Sequence, residues 1–180
     1  MGAESKGKTE TRRVNEARLT SLYDEYYNKI AHYAFVRIGD RAEAEDLAGE
    51  VFLKALESLK SYEERGVPMQ AWLFRIAHNL VVDHLRKVTK RKTVSIDTVQ
   101  VEAEAEADPA VLADRNIELE KVAGAMEQLT PEQREVLRLR FFGGLTSKEA
   151  GSILKKSDGA VREMQRAAVE KLRRLLVTDY

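Results

Sequence analysis

The chain has 180 residues, 43% of them hydrophobic, with 30 basic and 30 acidic side chains and no cysteine. That length holds one domain or two small ones with real cores, and the lack of cysteine excludes disulfides and thiolate metal sites. No apolar run approaches the roughly 20 residues of a membrane span, so membrane insertion is not expected and the cytoplasm is the expected compartment.

A net charge of zero at first argues against a nucleic-acid binder, because phosphate neutralisation normally shows as basic excess. The average hides segregation. Residues 72–92 carry Arg75, Arg86, Lys87, Lys90, Arg91 and Lys92 against Asp83, whereas residues 93–120 carry eight carboxylates against Arg115. Such blocks imply separate surfaces for separate partners, or an acidic segment that competes with nucleic acid for the basic ones.

In chain order, residues 1–15 are polar and are expected to be disordered. From Ala17, the pattern Leu19, Leu22/Tyr23, Tyr26, Ile30, Tyr33 keeps a helical period to Gly39, and this stripe reads as core rather than as a stacking platform for bases. A second helix is predicted from Asp40 to about Tyr62, with Ala44, Leu47/Ala48, Val51, Ala55 and Leu59 on one face. Glu43, Asp46, Glu50 and Glu57 align on another, where mutual repulsion costs a few tenths of a kcal/mol per pair. That row is either a solvated face or an acidic docking surface for a partner helix.

Pro68 suits the first position of a third helix, running to about Lys90. It should turn Met69, Trp72, Leu73, Ile76, Ala77, Leu80 and Leu85 inward and show Arg75, Asn79 and Arg86 on its other side. A Trp at a helix start is usually core, yet between a polar loop and a basic helix it can also receive an unstacked base. His78 and His84 are not at the i, i+4 spacing of a helical zinc pair and read as surface or packing residues; no metal site and no cofactor is expected.

Residues 93–114 have no sustained period and contain EAEAEADPA, which reads as an acidic linker. About 20 such residues span roughly 25 Å as a coil and on the order of 70 Å if stretched. Beyond it, Ile117, Val122, Ala125/Met126 and Leu129 predict a helix. Thr130-Pro131-Glu132-Gln133 then restarts one with an N-cap and a Pro at its first position, and Val136, Leu137, Leu139, Phe141 and Phe142 form its apolar side. In residues 145–175, LTSKEAGSILKKSDGAVREMQRAAVEKLRRL, Thr146 and Glu149 make a capping box. Ala150, Ile153 and Leu154 share a face, and Ser157 can cap a further helix carrying Arg162 and Arg166. Two helices joined by about three residues read as a helix-turn-helix or as an ordinary antiparallel pair.

The order of these segments resembles the extracytoplasmic-function sigma factors of bacterial RNA polymerase, over nearly all of residues 19–176. AEDLAGEVFLKAL is similar to that family's polymerase-docking motif and AWLFRIAHNLVVDHLRK to its promoter-melting helix, both in region 2. LTPEQREVLRLRFFGGLTSKEAGSIL with the following helix is similar to region 4. The resemblance implies an all-α chain of two small helical domains joined by a flexible acidic linker: residues 16–92 for region 2 and residues 115–180 for region 4, around the linker at 93–114. It implies that Asp46, Leu47, Glu50 and Phe52 dock on the coiled coil of the polymerase's largest subunit. Tyr62, the loop at 63–70, Trp72 and Asn79 would surround a flipped base of the −10 element, with Arg75, Arg86 and Lys87 on the strand backbone. Lys155, Lys156, Ser157, Gly159, Arg162, Glu163 and Arg166 would lie at the −35 element, and Phe141 and Phe142 would belong to the core of the domain that engages the polymerase flap. An anti-sigma factor is a further expected partner.

Three positions depart from the family pattern. Gly49 stands in place of Gln in the docking motif, at a cost in helix propensity of up to about 1 kcal/mol. Lys155 stands in place of the turn Gly, and Glu163 where a small polar residue is common. No catalytic constellation is present, so an enzyme is not expected. The alternatives are a stand-alone helix-turn-helix regulator, which would bind duplex tightly without polymerase, and an adaptor or anti-sigma protein, which would bind polymerase yet start no transcripts.

Overall fold

The computed structural model describes residues 3–62, 66–92 and 121–177; the 93–114 segment expected to be a linker lies outside them. The chain divides into two compact units, residues 1–100 and 101–180. Among the described residues every regular element is helical, and no helix is long and apolar enough to cross a membrane.

The first unit packs α1 (Ala3–Ile38), α2 (Arg41–Ser58) with a 3-10 turn (Leu59–Ser61), and α3 (Met69–Lys92) against one another. α1 begins at Ala3, so residues expected to form a disordered tail extend the helix instead. Their Glu, Lys and Arg content favours that extension, since these are strong helix formers where packing does not decide. Gly39 ends α1 with φ 81°, and Asp40 then caps α2, accepting from the Glu43 N–H at 2.8 Å. This junction fixes the reversal of the chain between the two helices.

The predicted inner face of α2 holds, with Ala44, Leu47, Ala48, Val51, Ala55 and Leu59 all buried; that of α1 holds at Leu19, Ile30 and Tyr33, whereas Leu22 and Tyr26 are half-buried and Tyr23 is 46% exposed. On α3 the expectation needs correction. Its buried stripe is Met69, Leu73, Phe74, Ala77 and Val81, while Trp72, Ile76, Leu80 and Leu85 are only half-buried. α3 packs on both α1 and α2, so its stripe is aimed between two neighbours. Phe74 meets Tyr33 and Tyr26 edge-on, at ring separations of 5.8 and 6.2 Å. The two histidines tie helices together: His78 Nδ1 lies 3.1 Å from the hydroxyl of buried Tyr33, and His84 Nε2 lies 3.0 Å from Glu43 Oε2.

The second unit contains α4 (residues 121–127), α5 (Pro131–Leu137) continuing into a π turn (Arg138–Phe142), α6 (Ser147–Leu154) and α7 (Asp158–Val177). The capping box expected at Thr130 and Gln133 is present in both directions, at 3.2 and 3.1 Å. Leu129, Leu137 and Ala168 form a small core, edged by Met126, Val169 and Leu172. Phe141 does not belong to that core: it is 64% exposed, and Phe142 is half-buried. The π turn adds a residue to the helical repeat after Arg138, so Leu139 stays inward while Phe141 rotates out.

Candidate nucleic-acid interface

Three groups of side chains carry the sequence-derived site, two in the first unit and one in the second. On α2, Asp46 and Glu50 lie exposed one turn apart, with Glu50 3.4 Å from Lys54. Leu47 and Phe52 face inward and are buried; Phe52 packs against Tyr23 and Tyr27, at ring separations of 4.9 and 6.4 Å. Both therefore help to hold α2 in place, and neither presents its side chain to a partner. The residues beside the acids on the outer ridge are instead Leu53 and Leu56, 64% and 53% exposed. Sequence reasoning passed over both, although the spacing of seven from Asp46 places Leu53 on that ridge and Leu56, three residues further on, at its border. The Tyr27 hydroxyl donates to the Glu45 carbonyl at 3.2 Å, and burial first, then the neighbouring Tyr23, Glu45 and Asp46, push its ionisation upward.

The second group is built by the start of α3. Tyr62, which closes the 3-10 turn, and Trp72 bring their rings to 4.7 Å with a 45° tilt, so two half-buried aromatics flank the loop that joins the elements. Arg75, Asn79 and Arg86 follow on one exposed face of α3, and Lys87 is exposed beside them. Their spacing of three to four residues, doubled between Asn79 and Arg86, explains the common face. Arg86 is 3.6 Å from Asp83 in a solvated ion pair, an arrangement of little net strength.

The third group is the α6–α7 pair. Thr146 and Glu149 cap α6 reciprocally, at 3.2 and 2.6 Å, and Ser157 caps α7 by accepting from the Ala160 N–H at 3.1 Å. Between them Lys155 adopts a left-handed conformation, φ 56° and ψ 42°, the geometry the family's turn Gly supplies without strain. Gly151 permits the tight crossing: a Cβ there would stand 2.6 Å from the Lys156 carbonyl oxygen. Ala150, Ile153, Val161 and Ala168 are buried, whereas Lys155, Lys156, Ser157, Gly159, Arg162, Glu163 and Arg166 are exposed. Gly159, Arg162, Glu163 and Arg166 share the outward stripe of α7, so the spacing that suggested a reading helix also brings these residues together.

Ion pairs occupy that stripe. Arg162 lies 2.8 Å from Asp158, which also accepts from the Ser147 hydroxyl, and Lys156 lies 3.4 Å from Glu132. Arg166 donates to Glu163 through Nη2 at 2.6 Å and Nε at 3.2 Å, and its Nη1 stands 3.7 Å from Glu170. Those two hydrogen bonds, and then the guanidinium charge, hold the Glu163 carboxyl below its usual range. Asp158 was absent from the sequence-derived site; its four-residue spacing from Arg162 was the available signal. Among the described residues no cluster of three or more His, Asp or Glu side chains is arranged to hold a metal.

Two family models match the chain in order: Sigma-70 region 2 at residues 22–91 and Sigma-70 region 4 at residues 125–174. ECF RNA polymerase sigma factor SigL of Mycobacterium tuberculosis is 30% identical over 159 residues, 87% of this chain and 88% of that one. The chain belongs to the ECF sigma factors. ECF RNA polymerase sigma factor BldN of Streptomyces coelicolor is 35% identical over 158 residues, 88% of this chain, and the match spans 60% of BldN's own length. The fold is similar to that of the sigma factor RpoE of Bartonella quintana, solved in complex with the anti-sigma factor NepR. The TM-score is 0.67 and the identity 22%, with 89% of this chain and 98% of that one covered. The region 2 and region 4 matches thus each fall inside one of the two structural units, and the α6–α7 helix-turn-helix lies within the region 4 match but for the last three residues of α7.

Proposed function

We propose that this ECF sigma factor binds core RNA polymerase in the cytoplasm, recognises −10 and −35 promoter elements and initiates transcription by opening the duplex, without catalysing a reaction of its own. The observation that carries this reading is the presence of regions 2 and 4, in that order, in one chain. Asp46 and Glu50, with Leu53 and Leu56 beside them, present acidic and apolar groups to the coiled coil of the polymerase's largest subunit. Leu47 and Phe52 support that face from beneath. Tyr62, Trp72 and Asn79 receive an unstacked −10 base while Arg75, Arg86 and Lys87 follow the strand backbone. This division suits the chemistry, since aromatic faces stack on any base and cations neutralise phosphate.

In the second unit, the outward stripe of α7 enters the major groove at the −35 element, with Lys155, Lys156 and Ser157 at the adjoining backbone. Exposed Phe141 provides an apolar contact toward the polymerase flap. An anti-sigma factor is the expected regulatory partner, supported by the family and by the fold shared with RpoE. Run-off transcription with core polymerase on a promoter library tests the whole reading: transcripts starting downstream of paired −10 and −35 elements are expected, and no initiation above core alone overturns it.

A further inference from the structure

The α7 stripe pairs its arginines with carboxylates of the same helix, which is unusual for a surface meant to meet phosphate. From Asp158 to Glu170 the acids Asp158, Glu163 and Glu170 outnumber Arg162 and Arg166. Such a stripe contributes little general attraction to DNA, so its charged groups must act by position. Glu163 is both held and outward. Two hydrogen bonds from Arg166 orient its carboxylate, and its side chain remains 65% exposed. One turn before it stands Gly159, where a Cβ would meet nothing within 4 Å. The fold itself does not require that glycine, and it leaves room for a base edge to approach Glu163.

Resting on the promoter-reading assignment of this unit, we propose that Glu163 is a specificity-determining residue that selects a C·G pair in the −35 element, with Arg166 as its positioning residue. An ionised carboxylate only accepts hydrogen bonds. In the major groove guanine offers N7 and O6 acceptors and thymine an O4 acceptor and a methyl group, all of which repel it or leave it unpaired. Adenine offers an N6 donor, but beside the N7 acceptor. Cytosine offers its N4 donor, and across the same pair guanine places the acceptors that suit a guanidinium. A carboxylate and a guanidinium hydrogen-bonded side by side therefore match the donor-and-acceptors pattern of one C·G pair. Arg166 spends Nε and one Nη2 proton on Glu163 and keeps further N–H groups for guanine.

Transcription by the protein with core polymerase, on promoters with a randomised −35 element and a constant −10 element, tests this directly. The wild type should favour C over the other bases at one position on the order of tenfold. Glu163→Gln, whose amide both donates and accepts, should move that preference toward adenine; Glu163→Ala should abolish it. Arg166→Lys, which keeps the charge but loses the two-bond hold, should broaden the same position. A −35 profile unchanged by Glu163→Gln and Glu163→Ala overturns the inference while leaving the sigma-factor reading intact. Transcription by the wild type with no −35 dependence overturns the inference together with the −35 assignment, and no initiation at all overturns the reading of the whole chain.

Discussion

Lys155 and Gly151 show how two single backbone positions set the geometry of the reading pair. Lys155 bears left-handed strain of about 1–2 kcal/mol that glycine would relieve, while glycine there would return about 0.4–1 kcal/mol of freedom to the unfolded chain. The first term is larger, so Lys155→Gly should raise stability of the chain by roughly 0.5–1 kcal/mol in denaturant unfolding. The two glycines of the pair should respond oppositely to alanine. Gly151→Ala gains helix propensity but forces a Cβ to 2.6 Å from the Lys156 carbonyl, so the α6–α7 turn must shift. A loss of about 1–3 kcal/mol is expected, as for overpacked cores. Gly159→Ala meets no neighbour and should stabilise α7 by up to about 1 kcal/mol. Thermal unfolding of the two variants, side by side, measures that contrast.

At the level of elements, α2 and α3 divide labour in the first unit, and their outer faces can be changed separately because their inner faces are built from different side chains. Asp46→Arg combined with Glu50→Arg reverses the charge of the α2 ridge without touching Ala44, Leu47, Ala48 or Val51 in the core. Polymerase binding should be abolished while helix content by circular dichroism is retained; unchanged affinity would remove the docking assignment. On α3, Trp72→Ala and Asn79→Ala should impair promoter opening more than polymerase binding, because stacking on a base carries roughly 1–3 kcal/mol that matters only once the strand is open. Opening followed by permanganate footprinting, against polymerase affinity from the same preparations, separates the two effects; Trp72 is only half-buried, so its loss should leave the unit folded.

Across the whole molecule, equal numbers of acidic and basic residues leave no net charge to drive binding to bare duplex. The free chain should bind a promoter duplex weakly at physiological salt, and binding should tighten strongly once core polymerase is present; fluorescence anisotropy with and without core polymerase measures the difference. Tight binding by the free chain would favour a stand-alone regulator. The helices, caps and order of segments could be read from sequence because they depend on local chemistry: Thr130, Thr146 and Ser157 cap the elements where the capping pattern placed them, and the second helix starts beside Asp40 as read. Local periodicity likewise sufficed for α2, and for α1 at Leu19, Ile30 and Tyr33 though not at Tyr23. Tertiary structure alone decided which side of α3 is buried, since Phe74, packed edge-on against Tyr26 and Tyr33 of α1, rather than Trp72 is fully enclosed. It also decided that Phe141 points outward, because a π turn breaks the regular repeat on which the sequence pattern relied. The same holds for Glu163: its sequence position showed an acid on the outward stripe of α7, but only the side-chain geometry shows its carboxylate hydrogen-bonded twice to Arg166.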